Sequence, residues 1–162
     1  MNVRTGIVLL IAALGMSLVL AGAASAKGPI AATITGPGLA TPLKLSYRSA
    51  VSRGAMGTLT MEGKFFDQAF TGITGGGVPA KRPAAGSLGP RFLVVYTVPG
   101  LNGNSFLRQR LYPYADAGAV TFMAKGQPFW GTNHTRGGWS RGSTKLAAAL
   151  VAAGLPAPAA TE

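Results

Sequence analysis

The chain has no cysteine, a single histidine and only four acidic residues in 162 positions. Each shortage removes a class of function. Without thiols there is no disulfide framework, no thiolate nucleophile and no cysteine-held metal. One histidine, His134, and the scattered acids Glu62, Asp67, Asp116 and Glu162 do not offer the three or four ligands of a zinc site at ordinary spacing. No acid-rich loop supplies the clustered oxygens that calcium requires. No metal and no cofactor is therefore expected. No serine sits in a Gly-x-Ser-x-Gly elbow, and the glycine-rich stretch TGITGGG at 71–77 lacks the Gly-Lys-Ser/Thr ending of a phosphate-cradling loop. Beyond residue 26 no apolar run approaches membrane-spanning length.

What is present at the N-terminus points to export. Arg4 is followed by an uncharged run from Gly6 to Leu20 and then by small residues ending in Ala24-Ser25-Ala26. A positive start, an apolar centre and small side chains at the peptidase subsites make a secretory signal, with cleavage expected between Ala26 and Lys27. An uncleaved membrane anchor is the alternative, since Thr5 to Ala26 is just long enough to span a bilayer. The remaining chain is expected to be a single domain, 27–155, with a flexible Gly/Pro-rich connector at 71–89 and a frayed tail at 156–162. A monomer is expected.

The charge is strongly one-sided. Removing Arg4 from the 15 basic residues leaves 14 against four acids, a net charge of +10. A positive potential of this size concentrates polyanions near the surface. Nucleic acid is not expected: export argues against it, and no recognition helix, zinc module or aromatic RNA-binding motif is present. The anions available outside a cell are wall polymers, lipid headgroups and acidic partners. The basic residues form no block, so they either maintain solubility or act as a site once folding gathers them.

Periodicity gives the elements. Ile30–Thr35 and Leu43–Tyr47 are predicted strands around Gly36-Pro37-Gly38, the second with Leu43, Leu45 and Tyr47 toward a core. Ser49 to Met56 reads as irregular, and Leu59 to Phe70 as an amphipathic helix weakened by Gly57 and Gly63. Arg91–Val98 and Ser105–Tyr112 predict a hairpin around the loop PGLNGN. Its second strand places Phe106, Arg108, Arg110 and Tyr112 on one face and Leu107, Gln109 and Leu111 on the other. Ala119–Ala124 adds a third strand to the meander. Ser143 is a natural N-cap for a last helix that ends at Gly154 and Pro156. The expected fold class is α+β, an antiparallel meander packed against two helices, one of them C-terminal.

The stretch PFWGTNHTRGGWSR, 128–141, holds both tryptophans and the histidine. It reads as a bridge from the last strand to the last helix. His134 is a candidate general base because imidazole titrates near neutrality, but it needs a nucleophile and an orienting carboxylate. Trp130 and Trp139 read as plates closing the core, with stacking on a ligand as the competing role. Asn133-His134-Thr135 matches the glycosylation sequon, which matters only in a host that glycosylates secreted asparagines.

The order LGPRF, VVYTVPG, LRQRLYPYA, VTFMAKGQPF, GGW from Leu88 onward, with ATITGPGL upstream, resembles a family of small secreted or membrane-anchored actinobacterial proteins of unassigned function. The sequence departs from that pattern after LYPYA, where Ala117-Gly118-Ala119-Val120 stands for a Gly-Gly-Pro-Val type turn. It departs again at Met123 to Gln127, where prolines are usual. The resemblance implies an envelope location and brings no reaction or ligand.

Two functions follow as expectations. The first is a noncatalytic, secreted or envelope-associated basic domain that contacts an anionic wall polymer, a lipid surface or a partner protein through Arg108, Arg110, Arg136, Arg141, Trp130 and Trp139. The second is a small envelope hydrolase or transferase with His134 as base.

Overall fold

In the computed structural model, residues 28–70, 81–100 and 102–158 are described. The signal-like segment and residues 71–80 of the connector lie outside them. The alternating stretches form one six-stranded sheet from β1 (Ala31–Thr35), β2 (Leu43–Ser46), β3 (Phe92–Gly100), β4 (Gly103–Tyr112), β5 (Val120–Met123) and β8 (Gly138–Arg141). The strand order is β2-β1-β3-β4-β5-β8, every pair antiparallel. The predicted meander is its centre. The hairpin is tighter than expected: pairing continues to Gly100 opposite Gly103, leaving only residues 101 and 102 between the strands. The α+β class holds, with three helices rather than two among the described residues.

Strand geometry sends alternate residues to opposite faces. Among the described residues one face is covered by the helices, and the other is open except at the end where Tyr112 and Val120 are buried with Leu88 and Ala115. Ala32, Ile34, Leu45, Phe92, Val94, Tyr96, Val98, Leu107, Leu111 and Met123 are buried in one cluster with the helix residues Met56, Leu59, Phe65, Leu146 and Leu150. Each of the Val, Leu, Ile, Met and Phe side chains among them contributes roughly 1.5–3 kcal/mol by leaving water. Tyr47, expected to share this face, is instead 44% exposed, because β2 ends at Ser46 and the chain turns there into the helix.

That helix, α1 (Ala50–Glu62), starts well before the predicted Leu59 and absorbs the stretch read as irregular. Ser49 caps it, its hydroxyl accepting from the Ser52 amide at 3.3 Å. Gly54 and Gly57 are tolerated because both face open space, while Ala55, Met56 and Leu59 on the opposite side are buried. The expected single helix to Phe70 breaks at Gly63-Lys64. A Cβ on Gly63 would lie 2.2 Å from the Leu59 carbonyl oxygen, and Lys64 takes the left-handed conformation at φ 58°. A second short helix, α2 (Phe65–Ala69), follows. The corner sends Phe65 into the core against Tyr96, ring centres 4.6 Å apart. It leaves Phe66 and Phe70 stacked on each other at 6.1 Å.

The last helix, α3 (Thr144–Ala152), is as predicted: Ser143 caps it and accepts from the Lys145 amide at 3.2 Å. At its end Gly154 has φ 110°, and the Leu155 amide donates to Leu150 at 2.9 Å. This closes a Schellman turn with Leu155 buried behind it. The start of the tail is held, since the Tyr114 hydroxyl donates to the Pro156 carbonyl. Near the end of the connector, Ala85–Ser87 makes a 3₁₀ turn, and Leu88 is buried in a small second cluster with Tyr112, Ala115 and Val120.

The stretch 128–141 is more than a bridge. Pro128–Phe129 (β6) and Asn133–His134 (β7) form a small hairpin, and Gly138–Arg141 is the β8 edge strand paired with β5. The expectation that β5 was the last strand is corrected here. Four residues that pair with Val120–Met123 are hard to see in a run so rich in glycine. No helix among the described residues is long and apolar enough to cross a membrane.

Candidate functional site

The open part of the other sheet face carries the predicted basic strand. In an antiparallel pair, directly opposed residues project to the same side, so the register fixes which side chains are neighbours. Thr35, Leu93, Arg110, Phe122 and Trp139 form one row across β1, β3, β4, β5 and β8. The next row is Lys44, Thr33, Val95 and Arg108, and a third contains Ala31, Thr97 and Phe106. Tyr112, Val120 and Arg141 make the row on the other side of Arg110. No acidic residue occupies any of these positions. Glu62 and Asp67 lie on α1 and α2, and Asp116 lies in the turn after β4.

Arg108 and Arg110 are both exposed, two residues apart on one strand, a spacing of about 7 Å from the strand rise. Each is held by a different device. The Arg110 guanidinium lies 5.3 Å from the centre of the Phe122 ring, a cation–π contact. Phe122 is backed by Trp139 at 4.8 Å, and Trp139 by Tyr112 at 5.9 Å. Arg108 is fixed through its backbone. Opposite it β5 has ended, and the Gln127 side chain takes the place of a strand, accepting from the Arg108 amide at 2.7 Å and donating to its carbonyl at 2.8 Å. Between them is a shallow cleft of about 340 Å³ lined by Leu93, Arg108, Arg110, Phe122, Ala124 and Gln127.

The other candidate residues divide. Arg141 is exposed on this face, opposite Val120. Arg136 is half-buried between β7 and β8, outside the sheet register. Trp139 belongs to the open face, with its ring already stacked on protein aromatics. Trp130 is on the covered side, packed against Phe70 and Phe129 at 5.3 and 5.4 Å. Its indole N–H donates to Pro99 at 2.7 Å, and its φ is 48°, so it anchors the β6–β7 hairpin to the end of β3. His134 is exposed on β7 and is not among the residues lining the cleft. Among the described residues no group of three or more His, Asp or Glu side chains could hold a metal ion.

Lys44, Leu93, Phe122 and Gln127 were not singled out by sequence reasoning. The alternation of VTFM already sets Phe122 apart from Thr121 and Met123, but only the β4–β5 register places it under Arg110. The role of Gln127 depends on where β5 stops.

The covered face holds a second constellation, polar and fully enclosed. The Tyr96 hydroxyl donates to Gln109 Oε1 at 2.8 Å, and Gln109 Nε2 donates to Gln68 Oε1 at 2.6 Å and to the Gly63 carbonyl at 2.9 Å. Gln68 Nε2 donates to Thr121 Oγ1 at 3.2 Å and to the Gly138 carbonyl at 3.0 Å. The Thr121 hydroxyl donates to Gly63 at 2.9 Å. Burial raises the Tyr96 pKa far above its ordinary 10.0, so the phenol stays protonated and is a permanent donor. Burial also raises that of Tyr114. Every buried side-chain polar atom among the described residues has a partner. The network is a structural joint between α1, α2, β3, β4, β5 and β8.

Comparison with models of known protein families, with curated proteins and with solved structures gives no match.

Proposed function

We propose that the protein is a noncatalytic, basic binding domain of the bacterial cell envelope that holds an anionic surface or polymer against the open face of its sheet. The observation that carries this reading is the pair Arg108 and Arg110. They stand side by side among strand positions that carry no acid, the backbone of one bonded to Gln127 and the guanidinium of the other laid on Phe122. Arg110, laid on the Phe122 ring, loses less side-chain freedom on meeting an oxyanion, and the planar fork of each guanidinium suits bidentate contact. Lys44 and Arg141 extend the positive field across the same face. The export signal read at the N-terminus supplies the location in this proposal.

Purified wall material and anionic surfaces should retain the protein in about 0.1 M salt and release it in about 1 M, where the screening length falls to about 3 Å. The Arg108→Ala/Arg110→Ala variant should be retained weakly at both. Retention indifferent to salt and to the double substitution would overturn the proposal.

A further inference from the structure

Two features of the open face are left over once the arginines are explained. Phe106 is 59% exposed and Leu93 39% exposed, both on the face that carries the cations. Covering a side chain such as phenylalanine stabilises by roughly 1.5–3 kcal/mol, so an open benzyl group between Thr97 and Arg108 forgoes stability that a buried or polar side chain at this position would not. The second feature is the chemistry of the cleft, which donates and hardly accepts. Leu93, Phe122 and Ala124 are apolar where they line it. The Gln127 amide is consumed, its Oε1 by the Arg108 amide and its Nε2 by the carbonyls of Arg108 at 2.8 Å and Ala124 at 3.3 Å. A hydroxyl-rich sugar finds Gln127 Oε1, already engaged by the Arg108 amide, as the one side-chain acceptor among the lining residues. A phosphodiester, which only accepts, meets two guanidiniums.

We propose that this face docks on an anionic phospholipid bilayer, with Phe106 and Leu93 entering the interfacial zone and Arg108 and Arg110 on the lipid phosphates. The inference rests on the reading above that the open face is the binding face, and it names the partner. Arginine stems lie on apolar surface while their charged ends reach outward, and the rows here interleave the two kinds of group: Phe106 beside Arg108, Leu93 beside Arg110. An interface in which acyl chains begin where phosphates end matches that interleaving. A soluble polyanion would engage the arginines and leave Phe106 in water.

The test uses the protein in the form the cell exports, floated with vesicles of phosphatidylglycerol and phosphatidylcholine in equal parts and with vesicles of phosphatidylcholine alone. In a parallel arm it is sedimented with purified wall polymer. Stronger binding to the mixed vesicles is expected. Phe106→Thr, which keeps a good strand former at an exposed position, should weaken binding to those vesicles about tenfold and leave any wall-polymer retention unchanged. Arg108→Ala/Arg110→Ala should weaken vesicle binding roughly thirtyfold. Thermal unfolding checks that each variant remains folded. Equal binding to both vesicle types, or mixed-vesicle binding that Phe106→Thr does not alter, overturns the bilayer inference. Salt-sensitive retention by wall polymer without preference for anionic vesicles overturns it too, while leaving the basic binding face intact. If neither anionic vesicles nor wall polymer retain the protein, both fall.

Discussion

The two faces of the sheet use polar side chains in opposite ways. On the covered face Gln109 stands between Leu107 and Leu111, and every polar atom it brings is spent on a protein partner. On the open face Arg108 and Arg110, its immediate neighbours in sequence, keep their charged ends exposed. One strand therefore carries a structural polar group and two recognition groups in consecutive positions, sorted only by the twofold alternation of β structure. A polar residue in an apolar surround has to be completely satisfied, because an orphaned donor or acceptor there costs about 1–3 kcal/mol. An exposed arginine carries no such penalty and is free to serve a partner.

Substitutions on each side put this contrast to the test. The largest effect is expected for Gln109→Leu, which fits the apolar surround but strands the Tyr96 hydroxyl and Gln68 Oε1. A loss on the order of 4 kcal/mol is expected in urea unfolding, and an unchanged midpoint would mean that the network is ornamental. Tyr96→Phe removes one donor and should cost about 1–2 kcal/mol. It should also change the alkaline limb. Because burial raises the Tyr96 pKa above 10.0, the unfolded chain ionises first. The contribution is complete below pH 10.0 and is lost as the pH rises beyond it. The variant should therefore lose stability less steeply than the parent in that range, and parallel curves would refute the assignment. Gln127→Ala frees the Arg108 backbone at an exposed site. About 1 kcal/mol is expected in stability in urea unfolding. Smallest of all, Arg110→Ala and Phe106→Thr should stay within about 0.5 kcal/mol of the parent in unfolding, with their effect confined to binding assays.

The strands β1 to β5, the last helix and the split of β4 into a basic and an apolar face were legible in the sequence because alternation, capping and helix-stopping residues are local signals. The start of α1 was obscured by Gly54 and Gly57, whose cost is offset by burial on the far side of the helix. Tyr47 was misplaced because alternation was extended one residue past the end of β2. β8 was hidden because its pairing is set by β5 and not by its own composition. The same holds for the site. Arg108 and Arg110 were visible from spacing alone, whereas Phe122, Trp139 and Gln127 join them only through a register between distant segments. Trp130 and Trp139, adjacent in the reading of one loop, belong to opposite sides of the sheet.

The corner at Gly63 and Lys64 has a consequence for assembly. By interrupting the helix it leaves the Gly63 carbonyl free to receive two donors, Gln109 Nε2 and Thr121 Oγ1, which lie 46 and 58 residues further along the chain. That oxygen acts as a keyhole into which two separate strands must fit together. A helix slipped by one turn, or a β4 shifted by one residue, would bury the key without its lock. The corner thus checks the docking of the helices against the pairing of the strands and admits one arrangement of the two layers.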